Sequence, residues 1–259
     1  TISNVIDNVK KIASQNIKEI VLTGINLGDF GKTSIEANKS NFLNLIKELD
    51  ILDLDLRFRI SSIEPNLLSD EIIEFVSTSK KFVHHFHIPL QSGSDTILKL
   101  MRRRYDADLY ESRINKINEL MPNACIGVDV IVGFPGEDDD KFLESMSFLE
   151  TLDISYLHVF TYSERDNTHA ISLPNIVQSN IRSKRSKLLR ILSSRKKADF
   201  YKKHLGSTHN VLFESENKNG FIEGFSSNYL RFRRKWDSSL EGSVIKSKFT
   251  EIDSEGFAI

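Results

Sequence analysis

The sequence contains one cysteine, Cys125, among 259 residues. A single thiol excludes an internal disulfide and fits a reducing, cytoplasmic setting. It also excludes any metal or cluster site built only from cysteines of this chain. No apolar run approaches the ~20 residues needed to span a bilayer, and no secretory leader is visible, so no membrane segment is expected. Tandem repeats and low-complexity tracts are absent. So is an initiator methionine: TISNVIDNVKK opens as the start of a helix, which reads as a piece of a longer protein. The glycine-containing stretch 24–31 lacks the GxGxxG spacing and the immediate helix that a dinucleotide site requires.

What is present is a hydrophobic content of 39%, enough for one large domain or a large and a small one. The net charge of −1 hides an asymmetry. Residues 181–259 hold 17 Lys and Arg against 9 Asp and Glu, net +8, whereas residues 1–180 hold 18 against 27, net −9. A basic tail on an acidic body suggests a polyanionic partner for the tail.

Apolar periodicity alternates between helical and extended along most of the chain. Val5, Ile6, Val9 and Ile12 predict a helix over 2–15, and 19–23 a short strand. Phe42, Leu45, Ile46 and Leu49 predict the next helix, followed by a strand over 56–61. Ser69 or Asp70 caps a helix to about Ser77. Strands at 82–88, 125–132 and 156–160 are separated by helices over about 108–121 and from Asp138, the latter with an acidic first turn suited to the helix dipole. This rhythm implies an α/β fold with a parallel sheet. After a polar loop at 163–176, residues 177–203 read as one helix with ten Lys or Arg and one acid. From Ser207, HNVLFE, GFIEGF, NYLRFRR, SVIKSKF and GFAI predict a small all-β barrel.

The stretch 82–105 organises the rest. Its strand ends at Pro89, which has no N–H to donate, and Leu90-Gln91-Ser92-Gly93 turns into a helix capped by Ser94 or Asp95. Parallel α/β proteins keep their chemistry at such carboxyl ends of strands, where Gln91, Ser92 and Gly93 stand.

HHFHIPLQSGSDTILKLMRRRY closely resembles the fourth-strand segment of radical S-adenosylmethionine (SAM) methylthiotransferases. EIVLTGINLGDFG, RISSIEP and DVIVGFPGEDDDKF agree with that family in its order. The resemblance covers essentially the whole chain. It implies an opened, TIM-like radical SAM barrel over residues 1–176, a basic linker helix over 177–206, and an OB-like TRAM module that binds RNA over 207–259. It implies SAM as cofactor and two 4Fe–4S clusters in the full-length enzyme. One cluster belongs to a CxxxCxxC loop, which the family carries upstream of the helix that residues 1–14 resemble. With those cysteines outside this sequence, no metal ligands are expected in it, and the polypeptide alone is expected to be inactive. In the family the cluster reduces SAM to a radical, a second cluster supplies sulfur, and SAM then donates methyl. RRRY and LHVFTYS look most like the branch acting on threonylcarbamoyladenosine beside the anticodon. The implied partners are a tRNA anticodon stem-loop and an electron donor. Self-association through the strand edge at 19–23 is also expected, because an unpaired edge invites pairing.

The resemblance places Ser62, Glu64, Gln91, Ser92, Gly93, Gly133, Phe134, Phe160 and Tyr162 at the cofactor. Each has an ordinary reading beside this one: rim salt bridge for Glu64, satisfied turn for Gln91 to Gly93, tight turn for Gly133, core packing for Phe160. Arg102 and Arg103 read as contacts to RNA phosphate or as partners of a helix carboxyl end. Arg231, Arg233, Arg234 and Trp236 interleave cations with an aromatic, which suits phosphates and base stacking. YSERDNT at 162–168 departs from the family's YSPRPGT. His84, His85 and His87 invite a metal reading, but only His85 and His87 share a strand face and no acid or cysteine stands at ligand spacing. Asp129, inside a strand, needs a partner. Cys125 reads as buried and inert. The alternatives are a non-catalytic RNA-binding module, a methylthiotransferase for isopentenyladenosine tRNA or a ribosomal protein, and an unrelated cluster-free α/β-barrel enzyme.

Overall fold

The computed structural model describes residues 1–31 and 41–259. Helix α1 (Ile2–Ala13) starts where the Thr1 hydroxyl accepts from Asn4 N–H. It leads to β1 (Glu19–Leu22), α2 (Phe42–Asp50), β2 (Arg57–Ile60), α3 (Asp70–Thr78), β3 (His85–His87), α4 (Asp95–Leu100), α5 (Ala107–Leu120), β4 (Cys125–Val132), α6 (Asp139–Thr151) and β5 (Tyr156–Thr161). β1 pairs with β2, β3 with β4, and β4 with β5, all in parallel. Isolated bridges Phe58–Phe82 and Ser62–His87 carry β2 across to β3. The result is an arc of five parallel strands in chain order, open rather than closed among the described residues.

Strand alternation gives the arc two faces. Val128, Val130, Val132, Leu157 and Val159 are buried in the main core. The intervening residues Asp129, Ile131, His158 and Phe160 stay partly exposed on the concave face. β3 is shorter than the sequence suggests, because His85 N–H turns back onto Val83 C=O at 2.9 Å and takes residues 83–84 out of the ladder.

α7 (Ser179–Lys203) lies against β5, where Ser193 Oγ accepts from Leu157 N–H at 2.9 Å. Beyond it, β6 (Thr208–Lys218), β7 (Phe221–Ser226), β8 (Arg231–Lys235) and β9 (Val244–Lys248) form an antiparallel sheet in the order β8-β7-β6-β9. A bridge from Phe232 to Ala258 brings the C-terminal GFAI segment beside β8. Val211, Phe213, Ile222, Leu230, Phe232 and Phe249 make this small domain's own core.

The β domain closes the amino-terminal end of the arc. Glu19 on β1 pairs with Arg57 at 2.5 Å and with Arg59 at 2.7 Å. Those guanidinium groups donate onward to Phe225 C=O (2.8 Å) and Ser226 C=O (3.4 Å). Tyr229 inserts its ring against His85, with centroids 4.2 Å apart, beneath the Arg59 guanidinium at 5.0 Å.

Candidate cofactor site at the sheet rim

The carboxyl ends of β4 and β5, with the end of α4 and the loop after β5, surround a cavity of about 540 Å3, within the range of small-molecule sites. Phe134, Phe160, Tyr162, Arg102, Arg103 and Arg165 line it. Phe160 is 52% exposed and presents its ring to the cavity because β5 alternation turns Val159 the other way. Phe134 meets Tyr162 edge-on, with centroids 5.3 Å apart. The Tyr162 hydroxyl and Arg103 Nε are buried with no hydrogen-bond partner among the described residues. Arg103 Nη1 reaches Glu64 at 3.2 Å, so the pair joins the rim after β2 to the turn after α4. Two residues here adopt the left-handed backbone conformation without being glycine, Gln91 (φ 71°) and Arg102 (φ 56°). Such conformations collect at ligand sites, because the surrounding structure must impose them. For Gln91 the imposing contacts are its N–H on Asp129 C=O (2.8 Å) and its C=O on Ile131 N–H (2.9 Å). Tyr105 and Tyr110 brace the same turn, donating from their hydroxyls to the carbonyls of Pro89 and Ile88.

The expected cofactor residues divide. Phe134, Phe160 and Tyr162 come together on the cavity, with Arg102 and Arg103 beside them. Ser92 and Gly93 do not join them. Ser92 is buried and its Oγ accepts from Ser94 N–H at 3.2 Å. A Cβ on Gly93 would stand 2.9 Å from Ser145 Cα, so this glycine is needed for packing on α6. Ser62 is taken up in the bridge to His87. Gly133 (φ 77°) makes the tight turn, and a Cβ there would meet the Arg182 stem at 2.3 Å.

What sequence reasoning missed is what holds this turn. The basic helix is not a uniformly solvated face: Arg182 and Arg185 are buried. Arg185 pairs with Glu137 at 2.7 Å, and Glu137 Oε1 accepts from Gly133 N–H at 2.8 Å. Burial pushes the Glu137 carboxyl up, against the pull of that N–H and of Arg185. Arg182 donates to Tyr162 C=O at 2.9 Å and pairs with Glu164 at 2.5 Å. Glu164 lies in the YSERDNT stretch, and its acid is what secures that loop to α7.

Below the rim, His87 Nε2 meets Asp129 Oδ1 at 2.7 Å, and a ligand atom of His158 lies within 4.8 Å of both. Asp129 thus has its partner, and His87 groups with His158 from another strand, not with His85. Burial, then the His87 charge, hold the His158 imidazole below its ordinary range. Cys125 is buried at the far end of β4, with its thiol pushed up to about 12 by burial.

On the β domain, Arg231 and Arg233 are engaged internally. Arg231 pairs with Glu223 at 2.5 Å, and Arg233 with Glu223 and with Glu255 at 2.7 Å. Both guanidinium groups also lie over the Phe257 ring. Arg234 is exposed, and Trp236 is partly buried against the domain core. A larger cavity of about 930 Å3 lies between the domains at the opposite end of the arc, away from the strand ends where parallel sheets carry chemistry.

A model of the radical SAM superfamily matches residues 1–149, more than half of the chain. The protein belongs to that superfamily. The curated relatives it resembles are tRNA methylthiotransferases. Threonylcarbamoyladenosine tRNA methylthiotransferase of Bacillus subtilis (strain 168) is 36% identical over 250 residues, covering 94% of this chain and 54% of the relative. The tRNA-2-methylthio-N6-dimethylallyladenosine synthase of Bacillus pumilus is 33% identical over 249 residues, covering 95% and 49%. The chain therefore spans about half the length of the curated relatives it matches. Among solved structures, coproporphyrinogen III oxidase from Escherichia coli, a radical SAM enzyme, superposes with a TM-score of 0.53. It covers 81% of this chain and 54% of its own, at 11% identity, which speaks for the fold alone. No helix among the described residues is long and apolar enough to cross a membrane.

Proposed function

We propose that this chain is the SAM-binding and tRNA-docking part of a methylthiotransferase that modifies a threonylcarbamoyl-bearing adenosine beside the anticodon. The observation that carries the reading is the rim cavity, where flat aromatic faces, unpartnered polar atoms and guanidinium groups converge. SAM carries an adenine, ribose hydroxyls and a carboxylate. Phe160 and Tyr162 offer faces for the adenine, and Arg102 and Arg103 cations for the carboxylate; Glu64, outside the lining but paired with Arg103, offers an acceptor for hydroxyls at the edge. The similarity to tRNA methylthiotransferases along nearly the whole chain supports the reaction class.

A reduced 4Fe–4S cluster and SAM, when bound, supply one-electron activation of a C–H bond. The cluster does not fit this chain: its one cysteine is buried at the end of β4 remote from the rim. The chain's own part is to seat SAM, to exclude water from it with Phe134 and Tyr162, and to hold the rim turn through Glu137 and Arg185. The exposed cations of α7 and β8, Arg234 among them, suit tRNA phosphates, while Arg231 and Arg233 hold the domain together.

S-Adenosylhomocysteine binding by calorimetry tests the reading, because it needs no cluster. Binding should be measurable, and Phe160→Ala or Arg103→Gln should each weaken it about tenfold, the loss of roughly 1.4 kcal/mol of contact. Absence of binding, or equal binding by both variants, defeats the proposal.

A further inference from the structure

Between the Tyr229 floor and the rim cavity lies a polar layer that the cofactor reading does not use. β3, β4 and β5 each contribute one residue to it from the concave face: His87, Asp129 and His158. Asp129 and His158 are register partners, and the rings of His87 and His158 stand 5.4 Å apart. Phe160 is two residues further along β5 than His158, a rise of roughly 7 Å, so the layer sits directly beneath the cavity. His85, the next concave residue down β3, is closed off by Tyr229 and by a 3.1 Å bond to the Tyr156 hydroxyl. His87, Asp129 and His158 have spare capacity instead. Asp129 spends one carboxylate oxygen on His87, and neither ring nitrogen of His158 makes a hydrogen bond among the described residues.

We propose that His87, Asp129 and His158 form the subsite that reads the N6 substituent of the substrate adenosine, accepting a substituent with carboxylate, hydroxyl and amide groups and rejecting a hydrocarbon one. This rests on the function proposed above. The two kinds of relative differ in that substituent, threonylcarbamoyl in one and dimethylallyl in the other. The first carries a carboxylate, a hydroxyl and N–H groups; the second is a five-carbon hydrocarbon. A polar substituent replaces the water on His158 and Asp129 with hydrogen bonds. A hydrocarbon displaces that water and leaves both groups unpaired, which is the costly case. Sites built to hydrogen-bond a group discriminate against analogues that lack it far better than apolar pockets discriminate against additions. The 2.7 Å contact gives one Asp129 oxygen a hydrogen-bond partner in His87 and leaves His158 to meet the substrate carboxylate. That contact also sets the pair to bond each other, which favours an organic ligand here over a metal ion.

The test is a titration of the chain, with 15N-labelled histidines and EDTA present, by N6-threonylcarbamoyladenosine and by N6-dimethylallyladenosine. The first should shift the imidazole signals of His87 and His158, and the second should bind at least about tenfold more weakly. His158→Phe should abolish most of that preference, and His158→Gln, which keeps a donor and an acceptor, should restore part of it. Because His158 is exposed, both variants should keep the parent circular dichroism. Equal affinity for the two nucleosides, unchanged in His158→Phe, overturns the subsite and leaves the adenosine-site reading standing. Binding of neither nucleoside overturns both. Imidazole shifts with Zn2+ alone, in place of EDTA, would make the cluster a metal site and overturn the proposal.

Discussion

The two ends of the parallel arc are built on opposite principles. At the carboxyl rim, Tyr162 Oη and Arg103 Nε are buried without partners among the described residues, Phe160 is half exposed, and the backbone is twisted at Gln91 and Arg102. At the amino end, Arg57 and Arg59 are matched to Glu19, and Tyr229 fills the mouth against His85, Phe225 and Tyr156. Arg59 Nη1 and His85 Nδ1 are also unpartnered among the described residues, so the ends differ in access: the rim opens on a cavity, whereas the other end is covered by the docked β domain. The division fits parallel sheets generally, where the carboxyl end carries function and the other end stability. The Glu137–Arg185 pair is the exception that sharpens the contrast, because it is a buried ion pair placed directly under the open rim.

That pair should give the largest effect. In Arg185→Ala the Glu137 carboxylate stays buried beside Gly133 N–H without its cation. Breaking one side of a buried pair costs roughly 3–5 kcal/mol. The unfolding free energy from urea denaturation should fall by that amount. A loss below about 1 kcal/mol, the value of a surface pair, would mean that the rim does not depend on α7.

The amino end should instead yield to acid. Burial holds the His85 imidazole well below its ordinary range, and burial with the His209 and Lys203 charges brings His204 to about 4. His204 Nε2 faces Asn228 Nδ2 at 3.3 Å, and Asn228 donates to Asn123 C=O, so the group sits at the junction of the domains. For a histidine depressed from 6.5, the unfolded chain takes up protons first. The stabilisation is therefore complete above pH 6.5 and lost as pH falls toward 4. For His204 the loss approaches roughly 3 kcal/mol across that window, at about 1.4 kcal/mol per pH unit. Stability measured from pH 7 to 4 should fall accordingly, and His204→Gln should flatten the curve. An unchanged slope in that variant would locate the acid-labile group elsewhere.

Those two predictions also mark where the sequence was legible. Local periodicity gave the five strands and their helices, because alternation and 3.6-residue spacing are written in consecutive residues, whereas the rim aromatics came from the family resemblance. Arg185 reads in the sequence only as one of ten cations on a long helix, since its partner Glu137 is 48 residues away and nothing local announces it. His158 escaped for the same reason: its register partner Asp129 and the His87 that bonds Asp129 lie on two other strands. Arg233 shows the converse. Its spacing with Arg231 and Trp236 reads as an RNA face, yet β7–β8 pairing sets it directly across from Glu223. Ser92 and Gly93 were legible as a turn, and the turn itself consumed them.

The finest comparison is a matched pair of backbone positions, one at each end. Arg102 (φ 56°) and Tyr229 (φ 64°) hold the same left-handed conformation, which costs a non-glycine residue about 1–2 kcal/mol. Glycine relieves that cost at both, but what is lost differs. Tyr229→Gly surrenders the stacks on His85 (4.2 Å) and Phe225 (4.7 Å) and the Arg59 contact. Loss of a packed aromatic outweighs the relief, so stability should fall by about 2 kcal/mol. At Arg102 no ion pair or side-chain hydrogen bond is formed among the described residues, and the side chain lines the rim cavity. Arg102→Gly should therefore gain up to about 1 kcal/mol of stability while weakening S-adenosylhomocysteine binding. Melting and calorimetry on the same two proteins separate the cases. A destabilised Arg102→Gly would show that the rim residue, like Tyr229, is held for the fold, and the distinction between the two ends would fail at its most sensitive point.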